Sequence, residues 1–516
     1  MRTILCILLI SGVNSEDYIC DINACEALEQ SKIDLQEFID SLEDNNNNSY
    51  LLKLERRLRS LEQPVWKISK LNERWLECAQ GPCKCRPETK SLSCWQQNLP
   101  VLPATQILPQ DAVSIDLGIN GLTTLNKNAF LMLSHLTELD LFDNELDHLP
   151  DGIFDDLGSL QYLRLHKNKI EDVPGDLLVK LRNLQTLDMS NNRIRQLPPH
   201  FFKGNVKLIV VHMSRNSIKI VPQTLFAGLD SLEDLDFSNN KIERLPKFLF
   251  TDLTNMKRLQ LADNRIDYLP TGLFDALTKL EYLNFRKNHI SSISDKLFNA
   301  LQNLKSLQLT SNHLRRIQLN DFSNLYNLED LHLGQNFISE LPENSFESNP
   351  NLKKLFLFSN NLEELDEKSF NGLTNLTSLL INNNILKNIH PNIFSYTPNL
   401  EKLDLDSNKF HFLPSKCFDH LDKLISIKLA KNPWHCDCNI LYLALWVDEN
   451  KSKVWDIQPT CRGPAELGGA LLKDMGFNDL CDGQWASMVN LSPRIPVKQV
   501  TIPPPPTTDN PEQENQ

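Results

Sequence analysis

Fourteen asparagines recur at an unbroken interval of 24 residues, from Asn120 and Asn144 through Asn264 and Asn288 to Asn408 and Asn432. Around each stands the frame Leu-x-Leu-x-x-Asn-x-Leu/Ile, as in Leu139, Leu141, Asn144 and Leu146, or Leu259, Leu261, Asn264 and Ile266. A period of this length, kept without insertion or deletion, predicts a stacked solenoid. One short strand cannot bury its leucines alone, but stacked copies share a continuous apolar core and a parallel sheet. A solenoid lengthens without widening its core, so 516 residues do not require several globular domains.

Each Asn reads as a spacer. Its amide can donate to and accept from backbone groups at the tight turn leaving the strand, where no neighbouring strand does so. A second column keeps the same register. Phe130, Phe154, Phe202, Phe226, Phe250, Phe274, Phe298, Phe322, Phe346, Phe370, Phe394 and Phe418 recur on the 24-residue period, broken by Leu178. Such a column predicts an aromatic ladder filling the convex side. Both columns hold the coil together and carry no information about a ligand.

These motifs resemble the extracellular leucine-rich repeat family, over roughly Cys78 to Cys481. The resemblance implies an α/β solenoid: a horseshoe with a parallel β-sheet on its concave face and disulfide-stapled caps. The run Asn432-Pro433-Trp434-His435-Cys436-Asp437-Cys438 is similar to the family's C-terminal cap. It implies pairing of Cys436 with Cys461 and Cys438 with Cys481, and of Cys78 with Cys85 and Cys83 with Cys94 in the N-terminal cap. Disulfides are preferred to zinc ligation because they dominate in an oxidising compartment. Cys417, at a repeat position filled elsewhere mostly by apolar residues, reads as a buried thiol, while Cys20 and Cys25 could close a local loop or bridge to another chain.

The expected organisation is a secretory signal at 1–15, a helical extension with coiled-coil character at 16–76, and a cysteine-rich cap at 77–111. Repeats at 112–432, a second cap at 433–482 and a Pro/Thr-rich tail at 483–516 follow. The helical extension rests on Leu28, Leu35 and Leu42, then Leu51, Leu54, Leu58, Leu61, Val65 and Ile68. It could fold back on the cap or mediate self-association. The apolar run Ile4 to Ile10 is too short to span a membrane, and the chain reads as secreted. Sequons at Asn47, Asn375, Asn450 and Asn490 suit an extracellular surface. A net charge of −13 argues against nucleic acid as the main partner.

No nucleophile elbow, metalloprotease His-Glu motif or phosphate loop is present, so the chain reads as non-enzymatic, without cofactor or metal. Binding is sought instead at the outward strand positions, which the repeat leaves free. Most of these are small or polar. Phe356, Phe358 and Leu380 stand out on neighbouring strands as an expected exposed apolar patch, with Lys354, Lys402 and Asp404 as rim. A second group comprises Phe142, Tyr162, Arg164 and His166, beside Glu138 and Asp140.

The expected function is therefore binding of an extracellular protein ligand or receptor across the concave face. The resemblance extends to carrier subunits of growth-factor complexes, the noncatalytic subunit of carboxypeptidase N, Slit-type ligands and Toll-type ectodomains. Two alternatives follow from it: a noncatalytic carrier or regulatory subunit, and a soluble innate-immune recognition factor.

Overall fold

The computed structural model describes residues 73–481. The expected signal, nearly all of the helical extension, Cys20, Cys25, Asn47, Asn490 and the tail lie outside the described residues. Fourteen three-residue strands, from Ser114–Asp116 to Ser426–Lys428, form one parallel sheet in chain order. Their register is the sequence period itself: Leu139 pairs with Leu163, Leu283 with Leu307 and Leu355 with Leu379. The central aliphatic residue of each strand, leucine in most and Ile115, Val211 or Ile427 in the others, points inward and is buried, whereas its two neighbours point outward on the concave face.

The asparagine column joins successive coils. Asn264 Nδ2 donates to Leu261 O of its own coil at 3.1 Å and to Phe237 O of the preceding coil at 3.0 Å. Its Oδ1 accepts from the Ile242 N–H at 3.0 Å. The same three bonds recur at Asn144, Asn216 and Asn360. The residue before each spacer lies in the left-handed region, with φ between 52° at Ile119 and 59° at Ser311, although none of the fourteen is glycine. That conformation costs about 1 kcal/mol or more for a residue with a Cβ. The three hydrogen bonds hold the turn against this cost.

On the convex side the phenylalanines stack. Ring centroids lie 6.0 Å apart for Phe202 and Phe226, 6.2 Å for Phe226 and Phe250, and 6.3 Å for Phe250 and Phe274. Leu178 fills its place in the column and is fully buried. Here the structure refines the α/β expectation, because the convex leg of most coils is a run of tight turns instead of an α-helix. Prolines such as Pro174, Pro222 and Pro270 open these turns, each accepting from the N–H three residues on. Strands about 4.8 Å apart leave no room for helices about 10 Å across without splaying the coils.

Both ends are closed as the resemblance implies. Cys78–Cys85 and Cys83–Cys94 staple the first cap, and Cys436–Cys461 and Cys438–Cys481 the second. In the first cap the antiparallel hairpin Lys84–Arg86 and Ser91–Ser93 continues the sheet. In the second, two aromatic rings end the two internal columns. Trp434 stacks on Phe410 at 6.1 Å, and Trp446 of the helix Leu441–Glu449 lies 4.8 Å from Phe418. Cys417 is free and buried, and burial pushes its thiol pKa up.

Replacing one spacer tests this account. Asn264→Ala leaves the Ile242 N–H without its partner and removes one of the two amide hydrogen bonds that Leu261 O and Phe237 O each accept, the other coming from Asn288 and Asn240, and is expected to lower stability by about 2 kcal/mol. Urea denaturation reads the global loss, and hydrogen exchange should show the Ile242 amide deprotected. A loss under about 1 kcal/mol would mean that water replaces the side chain.

Candidate functional site

Each strand presents outward side chains at alternate positions, so the concave face is a grid whose rows are strands about 4.8 Å apart. Lys354, Phe356 and Phe358 occupy one row, and Leu380 pairs beside Phe356 in the next. On the other side of Phe356 lies His332, whose ring meets it edge-on at 4.4 Å. The structure thus brings the expected patch together, but half-buried instead of fully exposed. Lys354 Nζ forms an ion pair at 3.3 Å with Asp330. Burial lowers the His332 pKa from 6.5, against the pull of Asp330, so the imidazole adjoining the patch is neutral at pH 7.

Phe358 is seated by a glycine. A Cβ at Gly334, one coil earlier in the same column, would lie 2.5 Å from its ring. Phe142 uses the same device, with Gly118 beneath it at 2.3 Å. His166 stacks on the other face of Phe142 with centroids 4.9 Å apart, leaving Phe142 only 7% exposed. That corrects the reading of Phe142 as a contact residue. Arg164 is similarly engaged, at 2.6 Å from Glu138 and 2.8 Å from Asp140, and burial lowers the His166 pKa despite Asp188 at 3.2 Å. Of the second group, Tyr162 is the exposed member.

The sheet also extends past its last repeat strand. Ile427 donates to Lys453 O at 2.8 Å and accepts from the Trp455 N–H at 2.9 Å, so Val454 lies in parallel beside Ile427. Val454 is buried and Trp455 beside it is 61% exposed, while Ile457, 54% exposed, lies just beyond a turn at Asp456, whose φ is 73°. Lys428 Nζ lies 4.7 Å from the Trp455 ring centroid and 3.4 Å from Asp456. Sequence reasoning missed these residues because the step from Ile427 to Val454 is 27 residues, outside the 24-residue frame. The signal that could have found them is the cluster of Val454, Trp455 and Ile457 inside the cap. Four inter-row spacings separate Phe356 from Trp455, about 19 Å of the same face. Asp404 lies between them, its pKa raised by burial.

Of the two expected glycosylation sites within the described residues, Asn375 is exposed on the loop before the strand Ser378–Leu380 and donates to Pro350 O at 2.9 Å. Asn450 ends the helix Leu441–Glu449 and donates to Trp446 O at 3.0 Å.

The glycine beneath Phe358 gives a direct test. Gly334→Ala should displace the ring and destabilise the fold by about 1–3 kcal/mol. The double change Gly334→Ala/Phe358→Ala should be less destabilised than the sum of its parts in denaturant midpoints, whereas simple additivity would show that the ring does not depend on the glycine.

Comparison with known proteins agrees with this architecture. A leucine rich repeat model matches residues 112–170, 134–194, 182–242, 326–384 and 374–433, and a BspA type leucine rich repeat region (6 copies) matches 219–353. The chondroadherin-like protein of Mus musculus is 33% identical over 105 residues, which is 20% of this chain and 13% of that protein. The chain thus spans a small part of that relative. Among solved structures, a leucine-rich repeat protein of Leptospira interrogans superposes with a TM-score of 0.61 at 28% identity, covering 71% of this chain and 89% of that one. The glycosylated Toll–Spatzle complex from Drosophila gives 0.59 at 25% identity, over 72% of this chain and 55% of that one. The chain belongs to the leucine-rich repeat family, as a solenoid capped at both ends by disulfide-bonded modules.

Proposed function

We propose that this chain is an extracellular, non-enzymatic binding protein that engages a protein partner across the C-terminal third of its concave face. The observation that carries the reading is the pair of apolar groups along one face: Phe356, Phe358 and Leu380 at one end, and Trp455, with Ile457 exposed just beyond it, at the other. Aromatic anchors surrounded by charge are where interface energy concentrates. Lys354, Lys402, Asp404 and Lys428 supply such a surround here. A rigid sheet also loses little freedom on binding, so more of the contact energy appears as affinity.

Three further observations support the setting. The four disulfides suit an oxidising compartment. Among the described residues no helix is long and apolar enough to cross a membrane. The Toll solenoid, similar in fold, was solved in complex with the protein Spatzle.

Affinity capture from native extracellular fluid tests the proposal, with the secreted chain beside Phe356→Asp/Phe358→Asp and Trp455→Ala variants whose circular dichroism matches the parent. A partner should be retained by the parent, lost by the double variant, and weakened about 30-fold by Trp455→Ala, the effect of removing an anchor worth about 2 kcal/mol. Equal retention by all three chains would remove the concave site from consideration.

A further inference from the structure

The outward columns flanking the spacer asparagines form a lateral flank of the solenoid, separate from the concave face. Acid and base are matched between coils at several places along it. Glu145 pairs with Lys169, Asp143 with Lys167 at 3.5 Å and Glu363 with Lys387 at 3.5 Å. Across the coils of Asn192, Asn216 and Asn240 the match fails. Arg193 and Arg195 share one carboxylate, Glu171, at 3.8 and 2.7 Å. Lys219 makes no ion pair among the described residues, and Lys241 is held at 3.1 Å by the uncharged Ser217 hydroxyl. These four cations line a groove of about 610 Å³.

The groove has two further properties. Its coils are locked in register by a parallel bridge between Ile220 and Arg244, so cations in successive coils recur at about 4.8 Å intervals. Its wall carries Ile220, which at 73% is the most exposed large apolar side chain among the described residues. A regular array of cations beside an aliphatic surface fits a linear polyanion with apolar ring faces. Guanidinium groups match the paired oxygens of sulfate through two parallel hydrogen bonds.

We infer that this flank binds a sulfated polysaccharide. A nucleic acid fits less well, because the groove has no aromatic side chain on which bases could stack and the chain as a whole carries a charge of −13. The choice of polysaccharide rests on the extracellular reading above. The groove residues take no part in the concave contact, so the two proposals fail separately.

The test is binding of the full chain to immobilised heparin in about 0.15 M salt, near physiological ionic strength. Three proteins are compared: the parent, Arg193→Ala/Arg195→Ala/Lys219→Ala, and a control that removes the same charge from ion-paired lysines, Lys257→Ala/Lys305→Ala/Lys353→Ala. Those control lysines lie 2.9, 2.8 and 2.9 Å from Glu233, Glu281 and Glu329. The groove variant should bind about tenfold or more weakly, with a shallower salt dependence, while the control changes less than about twofold. Hyaluronan, which carries carboxylates and no sulfate, should compete poorly. The proposal is overturned if the parent is not retained, if both variants weaken equally, or if a polyglutamate peptide competes as well as heparin, which would assign the groove to acidic protein segments.

Discussion

The contact on which this solenoid depends is the asparagine amide that spans two coils. A chain leaving a strand through a left-handed turn strands two carbonyls and an N–H in the interior, where an unmade hydrogen bond costs about 1–3 kcal/mol. The Asn side chain has two donors and an acceptor at the spacing needed to satisfy all three. Because its partners lie in its own coil and the one before, as at Asn264 with Leu261, Phe237 and Ile242, each turn is completed by the next repeat. This dependence accounts for the strict 24-residue period, since each carbonyl is shared by the amides of two successive spacers, as Leu261 O is by Asn264 and Asn288, and an insertion would move one of the two away and leave an N–H such as that of Ile242 unpaired.

With the interior held this way, most outward positions are released from the constraints of the repeat. Their geometry is nevertheless set by the coils beneath, which keep neighbouring rows about 4.8 Å apart. Two surfaces result. On the concave face apolar side chains gather at Phe356 and again at Trp455. On the flank the usual pairing of acid with base lapses around Lys219, leaving a cationic row. Both are preorganised, because the strands and turns presenting them are tied into the core by backbone hydrogen bonds.

The legible part of the protein was the part that repeats. The Asn and Phe columns were readable because each position sees the same surroundings in coil after coil, and the cap cysteines pair as the family resemblance implies. The patch at Phe356, Phe358 and Leu380 was readable from strand parity, which places alternate residues on one face. What failed was any inference that needed a neighbour's volume or the path of a non-repeating segment. Phe142 and Phe358 occupy the same column, yet the first is covered by His166 stacked on its ring while the second remains half-exposed. Trp455 joins the concave face through a cap loop whose 27-residue step hides it from the period.

By itself, then, the sequence determined the solenoid, its register and which residues face in or out, because these follow from local periodicity and the need to satisfy a buried backbone. Tertiary structure alone decided which outward residues remain accessible, how far the concave sheet continues into the cap, and where charges on adjacent coils go unpaired. Those properties depend on side chains about 24 residues apart meeting in space, as Gly334 meets Phe358 and Ile427 meets Val454, and no single repeat contains that information.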